Sequence, residues 1–184
     1  MGGTDKLVES VGGEPILRRT VRMALECSDQ VFVTLPGQSH PFAPARQATL
    51  ADLAAHCVVV PDAAEGMSAS LRAGALAAGA ATGLMIVLPD MPAIDASDIR
   101  ALIDSFLMDP LVPLRAATHD GRVGHPVIFP QALLGEMAKL SGDTGARSIL
   151  ESRAIRLHSL PDQRAVIDLD TPQDWRRWRT NPFG

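Results

Sequence analysis

The stretch LMIVLPDMPAID, residues 84–95, decides how this sequence is interpreted. Six uncharged residues, 84–89, run directly into Asp90, and Pro89 and Pro92 restrict the backbone on either side of this acid. A short apolar run of this kind is typical of a fully buried β-strand. A surface loop has no need of a stiffly held carboxylate, whereas a metal ligand or a catalytic acid does. The stretch therefore predicts a buried strand that ends at a functional acid.

Similar apolar segments alternate with helical patterns through the first half of the chain. Strands are predicted at QVFVTLP (30–36), CVVVP (57–61) and LMIVLP (84–89). Helices are predicted at 14–27, 43–56, 67–80 and 95–107, the last opening with the capping signal DASD. Continuous apolar strands separated by helices predict a parallel sheet that is covered on both faces. Ligands bind beyond the carboxyl ends of such strands, where Asp90 lies; a helix cap or loop acid is the alternative.

The second half has a different pattern. Strands at 111–119 and 122–130 are joined by Asp-Gly, which predicts a hairpin. Further strands are predicted at 154–161 and 165–170, and helices at 130–140, 144–152 and 171–180. We therefore predict one α/β domain over residues 1–184, with a three-layer Rossmann-like fold. Its sheet is mostly parallel, with a mixed second half.

Composition restricts the classes of function. The chain has 184 residues, is 46% hydrophobic and 21% charged, and carries a net charge of −4, as an ordinary globular protein does. It has no Tyr and five Phe, which with the acidic balance argues against nucleic-acid binding. Cys27 and Cys57 are far apart and indicate buried thiols in a reducing compartment. With no membrane-length apolar run and no signal peptide at MGGTDKL, we expect a cytoplasmic protein.

Six stretches together resemble the motifs of the MobA-like nucleotidyltransferase superfamily, most closely its molybdenum cofactor cytidylyltransferase type. They are GGTDKL (2–7), EGMSASLRAG (65–74), LPDMPAI (88–94), GHPVIF (124–129), GDTGARSIL (142–150) and IDLDTPQDW (167–175). The resemblance implies a GT-A-like nucleotidyltransferase fold. It also implies Mg²⁺-dependent transfer of CMP from CTP to the phosphate of molybdopterin, with release of pyrophosphate. The implied recipient of the product is a molybdoenzyme of the xanthine dehydrogenase type.

The resemblance assigns charged residues to the reaction centre. It makes Asp90 a metal ligand and Lys6 the cationic partner of the triphosphate. Asp168 is the predicted second metal ligand, on the same side as Asp170 if 165–170 is a strand. For Asp170 itself we favour a capping role at the final helix, with Pro172 in its first turn.

The remaining site residues are predicted to contact the two substrates. The predicted nucleotide-binding residues are Gly2, Gly3, Lys6, Gly66, Ser68 and Ser70. For Ser68, N-capping of a helix is an alternative that is compatible with nucleotide contact. His125 and Arg147 are predicted to bind the acceptor; a packed or surface histidine and a surface ion pair are the alternatives. Trp175 and Trp178 are expected to pack rather than to stack on a cofactor.

The N-terminal motif departs from the family pattern. The signature resembles LAAGxSxRMGxxK after a first hydrophobic strand, and this sequence starts at what corresponds to the Met of that signature. The first strand, the Gly-rich loop that wraps the triphosphate and the Arg are not in the sequence. We therefore expect the chain as given to be weakly active or inactive.

Other functions remain as alternatives. Guanylyl-transferring relatives carry a loop resembling GPLAG where this chain has GMSAS (66–70), which favours CTP over GTP. A sugar or polyol phosphate is the alternative acceptor. A non-catalytic protein that binds or chaperones the molybdenum cofactor is the alternative outside enzymes. A Rossmann dinucleotide binder is disfavoured because no GxGxxG follows a predicted strand.

Overall fold

A computed structural model describes residues 5–142, 145–151 and 153–180 of the chain. The strands are β1 Ser10–Val11, β2 Glu14–Pro15, β3 Phe32–Pro36, β4 His56–Val60, β5 Gly83–Ile86, β6 Leu114–Ala117, β7 Val123–Pro130 and β8 Arg156–Ser159. The helices are α1 Ile16–Leu25, α2 Ala43–Ala48, α3 Met67–Ala78, α4 Ala96–Leu107, α5 Gln131–Met137, α6 Arg147–Leu150 and α7 Pro172–Thr180. Short 3₁₀ turns lie at Lys6–Val8, Ala63–Glu65 and Arg164–Val166.

The larger sheet contains β5, β7, β6 and β8, in that order. β7 runs antiparallel to both β5 and β6, whereas β8 runs parallel to β6. Strands β5, β6 and β8 therefore point in one direction and β7 points in the other. β3 and β4 form a separate parallel pair, in which Val33 lies opposite Cys57. The predicted α/β fold with a mixed second half is confirmed.

The first half differs from one continuous parallel sheet. Across the described residues, no ladder of hydrogen bonds joins the β3–β4 pair to β5. Helix α3 bridges the two sheets: it packs against β3 and β4, and its Leu71 and Ala75 share an apolar cluster with Leu84 and Ile86. Side-chain packing rather than backbone pairing therefore connects the two sheets.

Helices cover both faces of the larger sheet. Ile128 of β7 shares a buried cluster with Leu102 of α4 on one face. On the other face, Phe129 shares a cluster with Leu71 of α3 and Leu133 of α5. Neighbouring side chains of β7 thus point into two different cores, as the alternation of a strand requires. The result is the predicted three-layer arrangement.

The helices are shorter than the sequence pattern suggests. α2 ends at Ala48, not near residue 56, because the chain turns there and Leu50 is buried at 3% exposure. The longest helices, α3 and α4, have 12 residues each. No helix in the described part of the chain is long and apolar enough to span a membrane.

The predicted strand at 165–170 is wrong. Arg164–Val166 form a 3₁₀ turn, and the segment 167–170 joins no ladder. The amide of Leu169 donates to the carbonyl of Asp90 at 2.9 Å. Ala165 and Leu169 are buried, so the apolar spacing reflects packing beside a turn, not the alternation of a strand. This segment nevertheless lies directly against Asp90.

The final helix closes a small core of its own. Trp175 is 4% exposed and shares a cluster with Val11 and Ile16, against which Trp178 also packs. The Trp175 indole Nε1 donates to the carbonyl of Leu169 at 3.2 Å. The predicted packing role of the two tryptophans is confirmed.

Candidate active site

The centre of the candidate site is an ion-pair cluster of Lys6, Asp90 and Asp170. Lys6 Nζ lies 2.7 Å from Oδ2 of Asp90 and 2.5 Å from Oδ1 of Asp170. The Asp90 side chain is 19% exposed and that of Asp170 is 60% exposed, so the cluster opens to solvent on one side. Burial lowers the pKa of Lys6, but hydrogen bonds to Asp170 and Asp90 and their charges outweigh this effect and raise it. Lys6 is therefore a cation held between two carboxylates.

Asp90 lies beyond the carboxyl end of β5, in a loop that the core holds rigid. Met91 and Ile94 are 5% and 1% exposed and pack under the loop, and the Asp90 carbonyl accepts from Leu169. Asp90 Oδ1 is buried and has no hydrogen-bond partner among the described residues. Buried polar atoms are normally paired. A fixed carboxylate with one unsatisfied oxygen is suited to bind a cation.

The capping role predicted for Asp170 is wrong. Thr171 Oγ1 accepts from the amide of Asp174 at 3.2 Å, and Asp174 Oδ2 accepts from the amide of Thr171 at 2.8 Å. This reciprocal pair caps α7 and leaves the Asp170 carboxylate available to Lys6. Asp168, the predicted metal ligand, is exposed. Partial burial of its carboxyl and the charges of Asp170 and Asp90 raise the pKa of Asp168; its metal role stays a prediction.

A second ion pair, which no sequence motif predicts, holds the 3₁₀ turn that carries Lys6. The Asp5 side chain is 4% exposed and accepts from Nε and Nη2 of Arg46 at 2.8 and 2.9 Å. It also accepts from the amide of Leu7 at 3.1 Å and so caps the 3₁₀ turn that carries Lys6. Arg46 lies on α2, 41 positions away, and no local motif indicates a contact at that distance along the chain.

The predicted nucleotide-binding residues are only partly described. Gly2 and Gly3 lie outside the described residues. Gly66, with φ +89° and ψ −154°, is the N-cap of α3, a conformation that glycine alone adopts readily. Ser68 is therefore not the cap; it is 1% exposed, and its hydroxyl has no hydrogen-bond partner among the described residues. Ser70 is half-buried. Their contacts with a nucleotide stay predictions.

Arg72 of α3 fixes the loop that precedes Ser68. Its guanidinium contacts the carboxylates of Asp62 and Glu65, the latter at 3.0 Å. Nη1 of Arg72 donates to the carbonyl of Leu140 at 2.6 Å. The loop before α3 is thus tied to the loop after α5.

The predicted acceptor-binding residues have different surroundings. The His125–Pro126 peptide bond is cis, and His125 Nδ1 is buried with no partner among the described residues. Burial and the charge of Arg115 lower the pKa of His125. Arg147 is 85% exposed and pairs with Glu151 at 3.1 Å, which agrees with the surface ion-pair alternative. Both acceptor roles stay predictions.

The donor set of the central cluster fits a hard divalent cation. No group of three or more His, Cys, Asp or Glu side chains within the described ranges is placed to enclose a metal ion. Mg²⁺ does not need such a cage, because it keeps water molecules and substrate phosphates in its shell and takes one or two carboxylates from the protein. Asp90 and Asp170, which both contact the Lys6 ammonium group, can supply these.

Comparison with solved structures shows the same fold in nucleotidyltransferases and related proteins. Rv0371c from Mycobacterium tuberculosis H37Rv is 31% identical, with a TM-score of 0.80, over 97% of this chain and 90% of that chain. A complex of Rv0371c with manganese is 28% identical, with a TM-score of 0.76, over 96% and 91% of the two chains. The CMP:2-keto-3-deoxy-manno-octonic acid synthetase in complex with CTP is 13% identical, with a TM-score of 0.71, over 95% and 90%. At 13% identity, the likeness shows the fold alone.

Sequence comparison identifies the family. A search of curated proteins finds no significant match. The sequence model of the MobA-like NTP transferase domain matches residues 1–159, which is most of the chain and includes Lys6, Asp90 and His125. The chain therefore belongs to the MobA-like NTP transferase family, a family of nucleotidyltransferases.

Proposed function

We propose that this protein transfers CMP from CTP to the phosphate of a molybdopterin-type acceptor. An oxygen of the acceptor phosphate attacks the α-phosphorus of CTP. The bond from this phosphorus to the oxygen bridging to the β-phosphate breaks, and pyrophosphate leaves with the electron pair. The observation that carries the proposal is the Lys6–Asp90–Asp170 cluster at the end of β5. In this cluster the Lys6 Nζ atom lies within 2.7 Å of an oxygen of each carboxylate.

Each residue of the cluster has a part in this reaction. Asp90 and Asp170, with Asp168 beside them, would hold a divalent cation, and that cation would neutralise charge on the phosphates. Lys6 binds the triphosphate once its ammonium group leaves the carboxylates. It supplies a point charge to the leaving pyrophosphate. Mg²⁺ is the proposed ion; the manganese complex of Rv0371c is consistent with a divalent metal in this fold.

The choice of CTP depends on the loop 66–70. Gly66 exposes backbone at the start of α3, and the GMSAS sequence lacks the loop typical of guanylyl transfer. The CTP complex of the structurally similar synthetase shows that this fold accommodates CTP in that protein. Ser70 is the candidate for contact with the base or ribose.

The proposed function also concerns the domain organisation, the recipient of the product and the cellular location. We propose that residues 1–184 form one nucleotidyltransferase domain, since α3 and α1 pack against both sheets and connect their cores. A molybdoenzyme as recipient of the product and a cytoplasmic location remain predictions. Cys27 and Cys57 form no disulfide, which is consistent with a reducing compartment. The prediction of buried thiols is wrong for Cys57, which is exposed, while Cys27 is half-buried.

Titration calorimetry with CTP and with GTP, each with Mg²⁺, tests the proposal. We expect CTP to bind the wild-type protein, and Asp90→Asn to weaken this binding at least tenfold. Asp104→Asn, which removes an exposed carboxylate of α4, is the matched control and should bind as the wild type does. Equal binding of CTP by all three proteins would contradict the assignment of Asp90. Preference for GTP would contradict the assignment of the base.

A further inference from the structure

Arg115 of β6 is a half-buried cation that contacts no acid among the described residues. Its Nε donates to the carbonyl of Gly124 at 2.8 Å. Nη1 and Nη2 make no hydrogen bond and no ion pair with any of the described residues. Arg115 was not predictable from the sequence, because a single arginine in an apolar strand gives no local sign of its partners.

Arg46 and Arg72, which are also half-buried, are neutralised by carboxylates, whereas Arg19 and Arg156 donate to carbonyl groups. Arg46 makes its two-atom contact with Asp5, and Arg72 contacts Asp62 and Glu65. Arginine uses its planar fork to bind carboxylates or phosphates with two parallel hydrogen bonds. In Arg115, the edge formed by the two Nη atoms has no such partner within the part of the chain that the structure describes.

A positive charge, that of Arg147, acts on Arg115. Burial and the charge of Arg147 lower the pKa of Arg115. The charge of Arg115 in turn contributes to the lowered pKa of His125. A half-buried guanidinium group without a negative partner is unfavourable unless an anion joins it. The surroundings therefore favour a negatively charged ligand.

His125 links this position to the central cluster. It follows Gly124, whose carbonyl holds Arg115, and its Nδ1 is buried without a partner among the described residues. His125 lies two residues before Val127, which pairs with Arg115 of β6 and with Ile86 of β5, the strand that leads to Asp90. The charge of Asp90 also acts on His125. An anion held by Arg115 and His125 would therefore lie next to the reaction centre.

We propose that the Nη edge of Arg115, together with His125, forms an anion site that binds the phosphate monoester of the acceptor. This inference rests on the proposed function for the identity of the acceptor, but the site itself requires only an anion. Bound there, the acceptor phosphate would be oriented with one oxygen towards the α-phosphorus of the nucleotide.

The site is tested with inorganic phosphate as the probe, while the ring signals of His125 are followed by NMR. The titration is carried out without and with saturating CTP and Mg²⁺. We expect saturable shifts in the wild type under both conditions, and affinity reduced at least tenfold in Arg115→Gln. Arg115→Lys keeps the charge but lacks the planar guanidinium group, so its phosphate affinity should lie between those of the wild type and Arg115→Gln. It replaces the glutamine variant in the comparison if that variant does not fold. Arg100→Gln is the matched control, since Arg100 is exposed and donates to a single carbonyl, that of Glu26.

The outcomes separate this inference from the proposed function. Equal phosphate affinity in the wild type and Arg115→Gln would overturn the site, as would an equal loss in Arg100→Gln. Loss of phosphate binding when CTP is present would show that phosphate occupies the position of the triphosphate, and this result would also overturn the proposed site. If CTP does not bind the wild type while phosphate binding still depends on Arg115, the proposed function fails and the anion site stands.

Discussion

Lys6 lies where a divalent cation has to approach the carboxylates of Asp90 and Asp170. Its contacts of 2.7 and 2.5 Å have to break before a metal ion can use the same oxygen atoms. We therefore expect Lys6→Met to bind Mn²⁺ about tenfold more tightly than the wild type in the absence of nucleotide, as measured by electron paramagnetic resonance. The same variant should bind CTP more weakly, because it lacks the cation for the triphosphate.

Lys139→Met provides the control, since Lys139 is exposed and is the other lysine of the sequence. It should leave both affinities unchanged. Weaker Mn²⁺ binding by Lys6→Met than by the wild type would show that Lys6 assists the metal site and does not compete for it.

His125 should make stability depend on pH. Burial and the charge of Arg115 lower its pKa from the ordinary value of 6.5. As pH falls below about 6.5, the unfolded chain takes up a proton at this position while the folded protein stays neutral. The contribution of His125 to stability is thus present above pH 6.5 and is lost on acidification. The free energy of unfolding, from urea titrations between about pH 7.5 and about pH 5.5, should fall less steeply in His125→Gln.

His119→Gln is the control, because His119 is exposed in the connection between β6 and β7. It should keep the wild-type pH dependence. If the free energy of unfolding of His125→Gln depends on pH as steeply as that of the wild type, other groups cause the pH dependence. Burial would then not lower the pKa of the His125 imidazole.

At the level of elements, two arginine–aspartate pairs involving neighbouring helices should differ in energy. Asp5 and Arg46 are 4% and 20% exposed, whereas Asp52, the partner of Arg18, is 70% exposed. Arg46→Met leaves a buried carboxylate without its partner, which we expect to reduce the free energy of unfolding by about 3 kcal/mol or more. Arg18→Met should cost about 1 kcal/mol or less.

Urea unfolding of the two variants measures the difference. Arg46→Met should also weaken CTP binding, because Asp5 holds the turn that carries Lys6. Similar losses of stability in Arg46→Met and Arg18→Met would mean that the Asp5 carboxylate is solvated despite its low exposure.

Elements with local signals were predictable from the sequence. The DASD motif predicted the start of α4, where Asp95 and Asp98 form a capping box. Asp-Gly at 120–121 predicted the antiparallel β6–β7 pair. The segment 165–170 was not predictable, because Leu169 takes its backbone partner from Asp90, far away in sequence. Local patterns indicate which residues are buried but not which distant group satisfies an amide.

The candidate site was predictable to a similar extent. Asp90 stood out because prolines and an apolar run surround it, and motif resemblance placed Lys6 in the site. The roles of Asp5, Arg46 and Arg115 depend on partners that no local spacing indicates. The sequence predicted Asp170 as the cap of α7, but Thr171 and Asp174 make that cap. The sequence alone does not distinguish between these two possibilities.

For the whole molecule, the division between the two sheets should be visible in hydrogen exchange. The β3–β4 pair shares no ladder with the larger sheet in the described residues. We therefore expect the free energy of the opening that exposes amide hydrogens to be lower for β3 and β4 than for β6 and β7. CTP with Mg²⁺ should protect β3 and β4 more than the larger sheet, because α2 connects them to the turn of Lys6. Uniform exchange in both sheets would instead indicate a single cooperative unit.

The neighbouring positions of Asp5 and Lys6 have a consequence for how this protein tolerates change. One peptide unit joins an acid fixed to α2 and a cation fixed to the end of β5. Inserting a single residue there would remove no chemical group, yet it would add up to about 3.5 Å of chain. That exceeds the length of either contact made by Lys6. In this part of the molecule, the length of the chain is therefore under a tighter constraint than the identity of most of its side chains.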